Sequence, residues 1–182
     1  MNELEIIRSQ LAVEQAHAAE VANACAARGA TAPFREACVS YLVWVLARFE
    51  ERDQSLSELL VARQSPANGT TAANARHLGS LITRSGTSRE ALSRLEAALA
   101  AGESQAAGTG WQEFAHFFNS TWGPRRSALE AALAGQLSVA DWRAVSAIDA
   151  DSMLEERKRY AGVVAQLPPG MDLRHLPADA GQ

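Results

Sequence analysis

The chain is predicted to be all-α, an up-down four-helix bundle with one or two extra short helices in the middle. Three observations carry this. Apolar residues recur every three or four positions over long stretches. The helix formers Ala, Leu, Glu and Arg are abundant, and β-branched runs are scarce. Gly and Pro fall in a few clusters that separate the periodic stretches, where they act as breaks.

The first helix is expected from about Glu3 to Arg28, with Ile7, Leu11, Glu14, Ala18, Val21 and Cys25 forming one inward stripe. Gly29 is its natural stop, because glycine takes the left-handed conformation without penalty. Pro33 opens the second helix, which runs to about Arg63. Its stripe reads Val39, Leu42, Leu46, Phe49, Asp53, Leu56 and Leu60. Ser65-Pro66-Ala67-Asn68-Gly69 then breaks the chain.

The middle is less regular. Ala72 to Thr83 reads as a short helix, and Thr87-Ser88-Arg89-Glu90 as a capping box that starts another reaching about Ala101. Residues 102–110 read as loop. Helix resumes from Trp111 to Ala134, with Trp111, Phe114, Phe118, Trp122 and Leu129 inward and a kink at Gly123-Pro124. Ser138 to Asp141, a capping box with Asp in place of Glu, opens the last helix. That helix runs to about Gln166, where Pro168-Pro169 stops it. One domain therefore covers residues 1–167, and residues 168–182 are expected to be a flexible tail.

Composition narrows the function classes. With 182 residues, a formal charge of −4 and no basic stripe, the chain does not offer a nucleic-acid surface. The longest apolar run, Cys38 to Ala47, is broken by Ser40 and is far short of the ~20 residues a membrane span needs. The acidic start Met1-Asn2-Glu3-Leu4-Glu5 is unlike a signal peptide, so a cytoplasmic protein is expected. Cys25 and Cys38 lack metal-ligand spacing. They fall at similar heights on antiparallel neighbours; buried reduced thiols are the expectation, with a bridge the geometric alternative. No Ser, Cys or Lys stands in an activated context, so no enzymatic activity is indicated.

Polar residues on apolar stripes are the places to look for function, since burying one unpaired costs ~1–3 kcal/mol or more. Glu14 sits on the first stripe and His17 one turn on, giving Glu14-x-x-His17, a spacing that points two ligands to one side of a helix. Glu113-x-x-His116 repeats it on the Trp111 helix. With a turn near residue 31, Glu14 falls level with Phe49 and within reach of Glu50, and Asp149 lies among Val145, Ile148 and Met153. A metal site of Glu14, His17, Glu50, Glu113, His116 and Asp149 can be drawn, for iron or another transition metal. The alternative is a His–carboxylate pair on a half-buried helix face. Glu155-Glu156-Arg157-Lys158-Arg159 reads as a solvated face with i,i+4 pairing, and Glu50-Glu51-Arg52 as an exposed cluster.

The second helix also carries a resemblance. Arg48-Phe49-Glu50-Glu51-Arg52-Asp53-Gln54-Ser55-Leu56 is similar to the motif of the hemerythrin-like family, and Thr121 to Leu129 echoes it on the Trp111 helix. Leu133, Leu137-Ser138 and Asp141-Trp142 resemble the family's passage to its last helix, and His17 and His77 match histidines of its first and third. The resemblance spans roughly residues 10 to 145. It implies the bundle fold and a di-iron site ligated at the first and fifth places of the two motifs. Those places hold Arg48 and Arg52, and Thr121 and Arg125. A guanidinium has no lone pair to offer a metal. The resemblance therefore implies a bundle that has lost the di-iron, oxygen-binding site and acts as an interaction or small-ligand-binding module without cofactor, as monomer or homodimer. A bundle that binds a metal through the Glu/His set is the alternative.

Overall fold

The computed structural model describes residues 2–63, 69–102, 109–120 and 137–173, and helix is the regular secondary structure found among them. The helices are α1 (Glu3–Ala26), α2 (Ala32–Ala62), α3 (Gly69–Ala100), α4 (109–120), α5 (Val139–Ser146) and α6 (Ala150–Val164). None of the described helices is long and apolar enough to cross a membrane.

Local chemistry accounts for most of the boundaries. The Asn2 side chain and the Glu5 carboxylate cap the start of α1 reciprocally. Thr31 caps α2, with Pro33 in the first turn, where its missing N–H leaves no bond unmade. Gly29 takes a φ of 94° in the turn between them. The capping box expected at Ser138 and Asp141 opens α5.

Two boundaries differ from the sequence reading. The two short helices expected in the middle are one helix, α3, of 32 residues. The Thr87 hydroxyl does not cap a new helix; it donates 3.2 Å back to the Thr83 carbonyl, as Thr83 does to Gly79. With helix already wound upstream there is no bare N–H for it to cap, so it bonds the preceding turn instead. The last helix is two, because Ala147 turns left-handed at φ 48°. Asp149 then caps α6, accepting from the Ser152 N–H at 2.7 Å.

Contacts fix the helix directions. Glu14 meets Arg52 and the Cys25 carbonyl meets Arg35, so α1 and α2 are antiparallel. Glu50 of α2 meets Arg89 of α3. Arg143 meets Glu3, Glu156 meets His17 and Tyr160 meets Glu20, at sequence offsets of 140, 139 and 140. A constant offset means that α5 and α6 run parallel to α1, and both oppose α2. In an up-down order of four helices the first and last are antiparallel neighbours. Here the continuous α3 packs along α2, and α5 and α6 lie beside α1 in the same sense as α1.

The core has two apolar parts. One joins Val21, Leu42, Phe49, Trp111, Phe118 and Tyr160 with their neighbours; the other joins Ile7, Leu11, Leu56, Leu60, Trp142 and Val145. Each fully buried large side chain contributes roughly 1.5–3 kcal/mol. Packing continues past Pro169: Met171 lies against the first part and Leu173 is buried in it. Cys25 and Cys38 are buried, free thiols, and burial followed by contact with Cys38 pushes the Cys25 thiol well above its ordinary range. The rest of the expected tail, residues 174–182, lies outside the described residues, as do Trp122, Leu129 and the Gly123-Pro124 kink.

Candidate functional site

Between the two apolar parts lies a layer of buried polar side chains. On α1 it falls between Leu11 and Ala18, at Glu14 and His17; on α2 between Phe49 and Leu56, at Arg52 and Asp53. Ser146, at the end of α5, and Glu156, on α6, are the buried polar residues of the C-terminal segment. Helical spacing puts these residues on the inward stripes, so each must find partners inside the protein.

Glu14 and Glu156 have no solvent exposure. An Arg52 nitrogen lies 2.5 Å from Glu14 Oε2, and an Arg48 nitrogen 3.6 Å from Glu14 Oε1. Arg52 Nε donates at 2.6 Å to the Ser146 carbonyl, and Arg48 at 3.3 Å to the Ala147 carbonyl. The two guanidiniums thus tie a carboxylate of α1 to the last carbonyls at the C-terminus of α5, where the helix dipole favours positive charge. They also offset the backbone penalty of the left-handed Ala147, roughly 1–2 kcal/mol.

The second half of the layer is built on Glu156. Its Oε1 accepts from the Tyr41 hydroxyl at 3.0 Å and lies 2.8 Å from His17 Nδ1. The His17 ring stacks on Tyr160, centroids 3.8 Å apart, and the Tyr160 hydroxyl donates to Glu20 at 2.8 Å. Burial, then the Glu156 charge, pushes the Tyr41 phenol well above its usual value. Burial and the Glu20 bond do the same to Tyr160. Both phenols stay neutral and serve as donors.

The six residues drawn as a metal site are not gathered into one cluster. Glu14 and His17 enter the layer, but each has another partner, the arginines and Glu156 respectively. Glu50 is level with Glu14 as expected, yet it is turned away and pairs with Arg89 at 2.9 Å. The height was legible; the rotation, 100° per residue, was not. Glu113 and His116 are exposed on α4. Asp149 is exposed at its cap, where the Ser152 hydrogen bonds, and then Arg48, hold its carboxyl below the usual range. Among the described residues, no three His, Cys, Asp or Glu side chains are placed to hold a metal ion. The Glu14 carboxylate is already bound by guanidinium. Thr121, Arg125 and the His77 side chain lie outside the described residues.

The sequence reading assigned Arg52 and Glu156 to solvated clusters, and both are buried. A signal was present. Arg52 stands three residues after Phe49 and four before Leu56, and Glu156 fits the spacing of Met153, Tyr160 and Val163.

A second feature lies outside this layer. A groove of about 670 Å³ runs between α2, α3 and α6, over Val39, Val43, Trp44 and Leu99. Arg48 and Arg159 flank the Trp44 ring, 5.0 and 5.3 Å from its centre, and hold it in place. The chain matches no protein-family model, no curated protein and no solved structure.

Proposed function

We propose that this protein is a metal-independent helical bundle of hemerythrin-like type that works as a small-ligand-binding module. In this reading α1 to α4 form the bundle, and α5 and α6 are an added fifth pass. Arg48 and Arg52 take the structural place of metal ions, linking helices through charge. The observation that carries the reading is the 2.5 Å contact of Arg52 with the fully buried Glu14.

Magnitudes favour guanidinium over metal. A divalent ion about 5 Å from one guanidinium is repelled by on the order of 6 kcal/mol at an effective dielectric of ~20. Opening the Glu14–Arg52 pair to free the carboxylate costs about 3–5 kcal/mol more, because it strands a buried charge. The groove over Trp44 supports the ligand-binding part of the reading, since its volume falls in the ordinary range for small-molecule sites.

Elemental analysis of protein purified without chelator tests the first half of the reading. Metal well below one ion per chain is expected, with a thermal midpoint unmoved by EDTA. Stoichiometric iron, lost in His17→Ala, would overturn it.

A further inference from the structure

The groove also carries information about what fits it. Its floor is apolar, built from Val39, Val43, Trp44, Ala47 and Leu99. Val43, 45% exposed, is the most open of these apolar side chains. Three charged side chains line the groove: Glu36 and Glu96, from α2 and α3, and Arg159 from α6. Arg159 is committed, with its Nε 2.6 Å from Glu155 Oε1 and its guanidinium over the Trp44 ring. Its charge is therefore compensated within α6. Glu36 and Glu96 give the groove a negative balance, on two helices that share its wall.

An apolar floor with net negative walls is complementary to a cation on an apolar body. Resting on the reading of the chain as a ligand-binding module, we propose that the groove between α2, α3 and α6 binds an organic amine, an alkyl or aryl chain ending in an ammonium group. The chain lies over Val39, Val43 and Leu99, and the ammonium is held by the field of Glu36 and Glu96 on the α2 and α3 walls. A fatty carboxylate of the same length meets two like charges in place of counter-charges, and a neutral alcohol gains the apolar contact alone.

Calorimetric titration of the full chain with octylamine, octanoate and octanol separates these cases, with far-ultraviolet circular dichroism as the check that the protein stays folded. Octylamine is expected to bind at least about tenfold tighter than either of the others. Glu36→Gln with Glu96→Gln is expected to remove about that factor, since each exposed ion pair contributes up to roughly fivefold. Both residues are exposed, so the double variant keeps the fold. Equal or tighter binding of octanoate or octanol would overturn the amine assignment and leave the ligand-binding reading standing. Octylamine binding unaltered by the double variant would overturn the location. Heat from none of the three would sink the amine assignment and the ligand-binding role of the groove together, while the metal analysis stands apart.

Discussion

At the scale of single residues, the Glu14–Arg52 pair decides the character of the interior. A buried ion pair gains little over a well-packed apolar pair, because desolvation cancels most of the attraction. Losing one partner is far worse. Glu14→Leu alone or Arg52→Met alone is expected to destabilise the protein by about 3–5 kcal/mol, whereas the double variant is expected to recover most of that loss. Urea unfolding of the four proteins checks it, and equal loss in single and double variants would contradict the pairing. A second residue acts on the pH scale. The Ser138 hydroxyl, then Arg63 at 2.5 Å, hold the Asp141 carboxyl down at about 2. A depressed carboxylate adds stability that is fully present above its unfolded value, near ~4. That contribution is lost as pH falls through the folded value. Wild-type protein should therefore lose stability between about pH 4 and 2 more steeply than Asp141→Asn, measured by thermal midpoint across that window.

At the scale of elements, α3 is where a local signal and the outcome part. Thr87-Ser88-Arg89-Glu90 has the composition of a helix start, yet it sits mid-helix, with Ser88 fully buried and Leu92 in the core. A capping box is worth about 1 kcal/mol. A continuous helix packed along α2 retains the backbone bonds of a whole turn and outweighs it. Gly79 and Gly86 lie inside this helix without positive φ, and a Cβ at either meets open space. Gly79→Ala and Gly86→Ala are each expected to raise stability by roughly 0.5–1 kcal/mol, read from urea midpoints. A helix that ended at Gly86 in a left-handed residue would instead be weakened by alanine there. The break between α5 and α6 is the opposite case, a long periodic stretch interrupted by Ala147 because Arg48 and Arg52 hold the Ser146 and Ala147 carbonyls.

At the scale of the whole molecule, two apolar parts and one polar layer share the same helices. The polar residues meet across helices because α1 and α2 run antiparallel while α5 and α6 run parallel to α1. The larger apolar part is closed at its end by the segment after α6. Leu173, 3% exposed, belongs to it. Leu173→Ala is expected to cost about 2–4 kcal/mol in urea unfolding, where a flexible tail residue would cost nothing measurable. The metal analysis and the amine titration bear on the same scale, since one concerns the interior between the helices and the other the surface between three of them.

The sequence by itself determined the all-helical class, the extents of α1 and α2, the Ser138 cap, and the inward stripes of the first two helices apart from Arg52. All of these follow from periodicity and caps, which are local. It also set Glu14 level with Phe49, since the rise per residue and a short turn fix height. Only the tertiary structure decided which buried groups meet. Arg52 rather than Glu50 reaches Glu14, Glu156 rather than a second ligand pair reaches His17, and α6 lies parallel to α1. Those outcomes depend on helix rotation and on the direction of a segment more than a hundred residues away, neither of which a local pattern encodes. The arginines could be read from the sequence as poor metal ligands. That they fill the interior as counter-ions is a property of the packed helices.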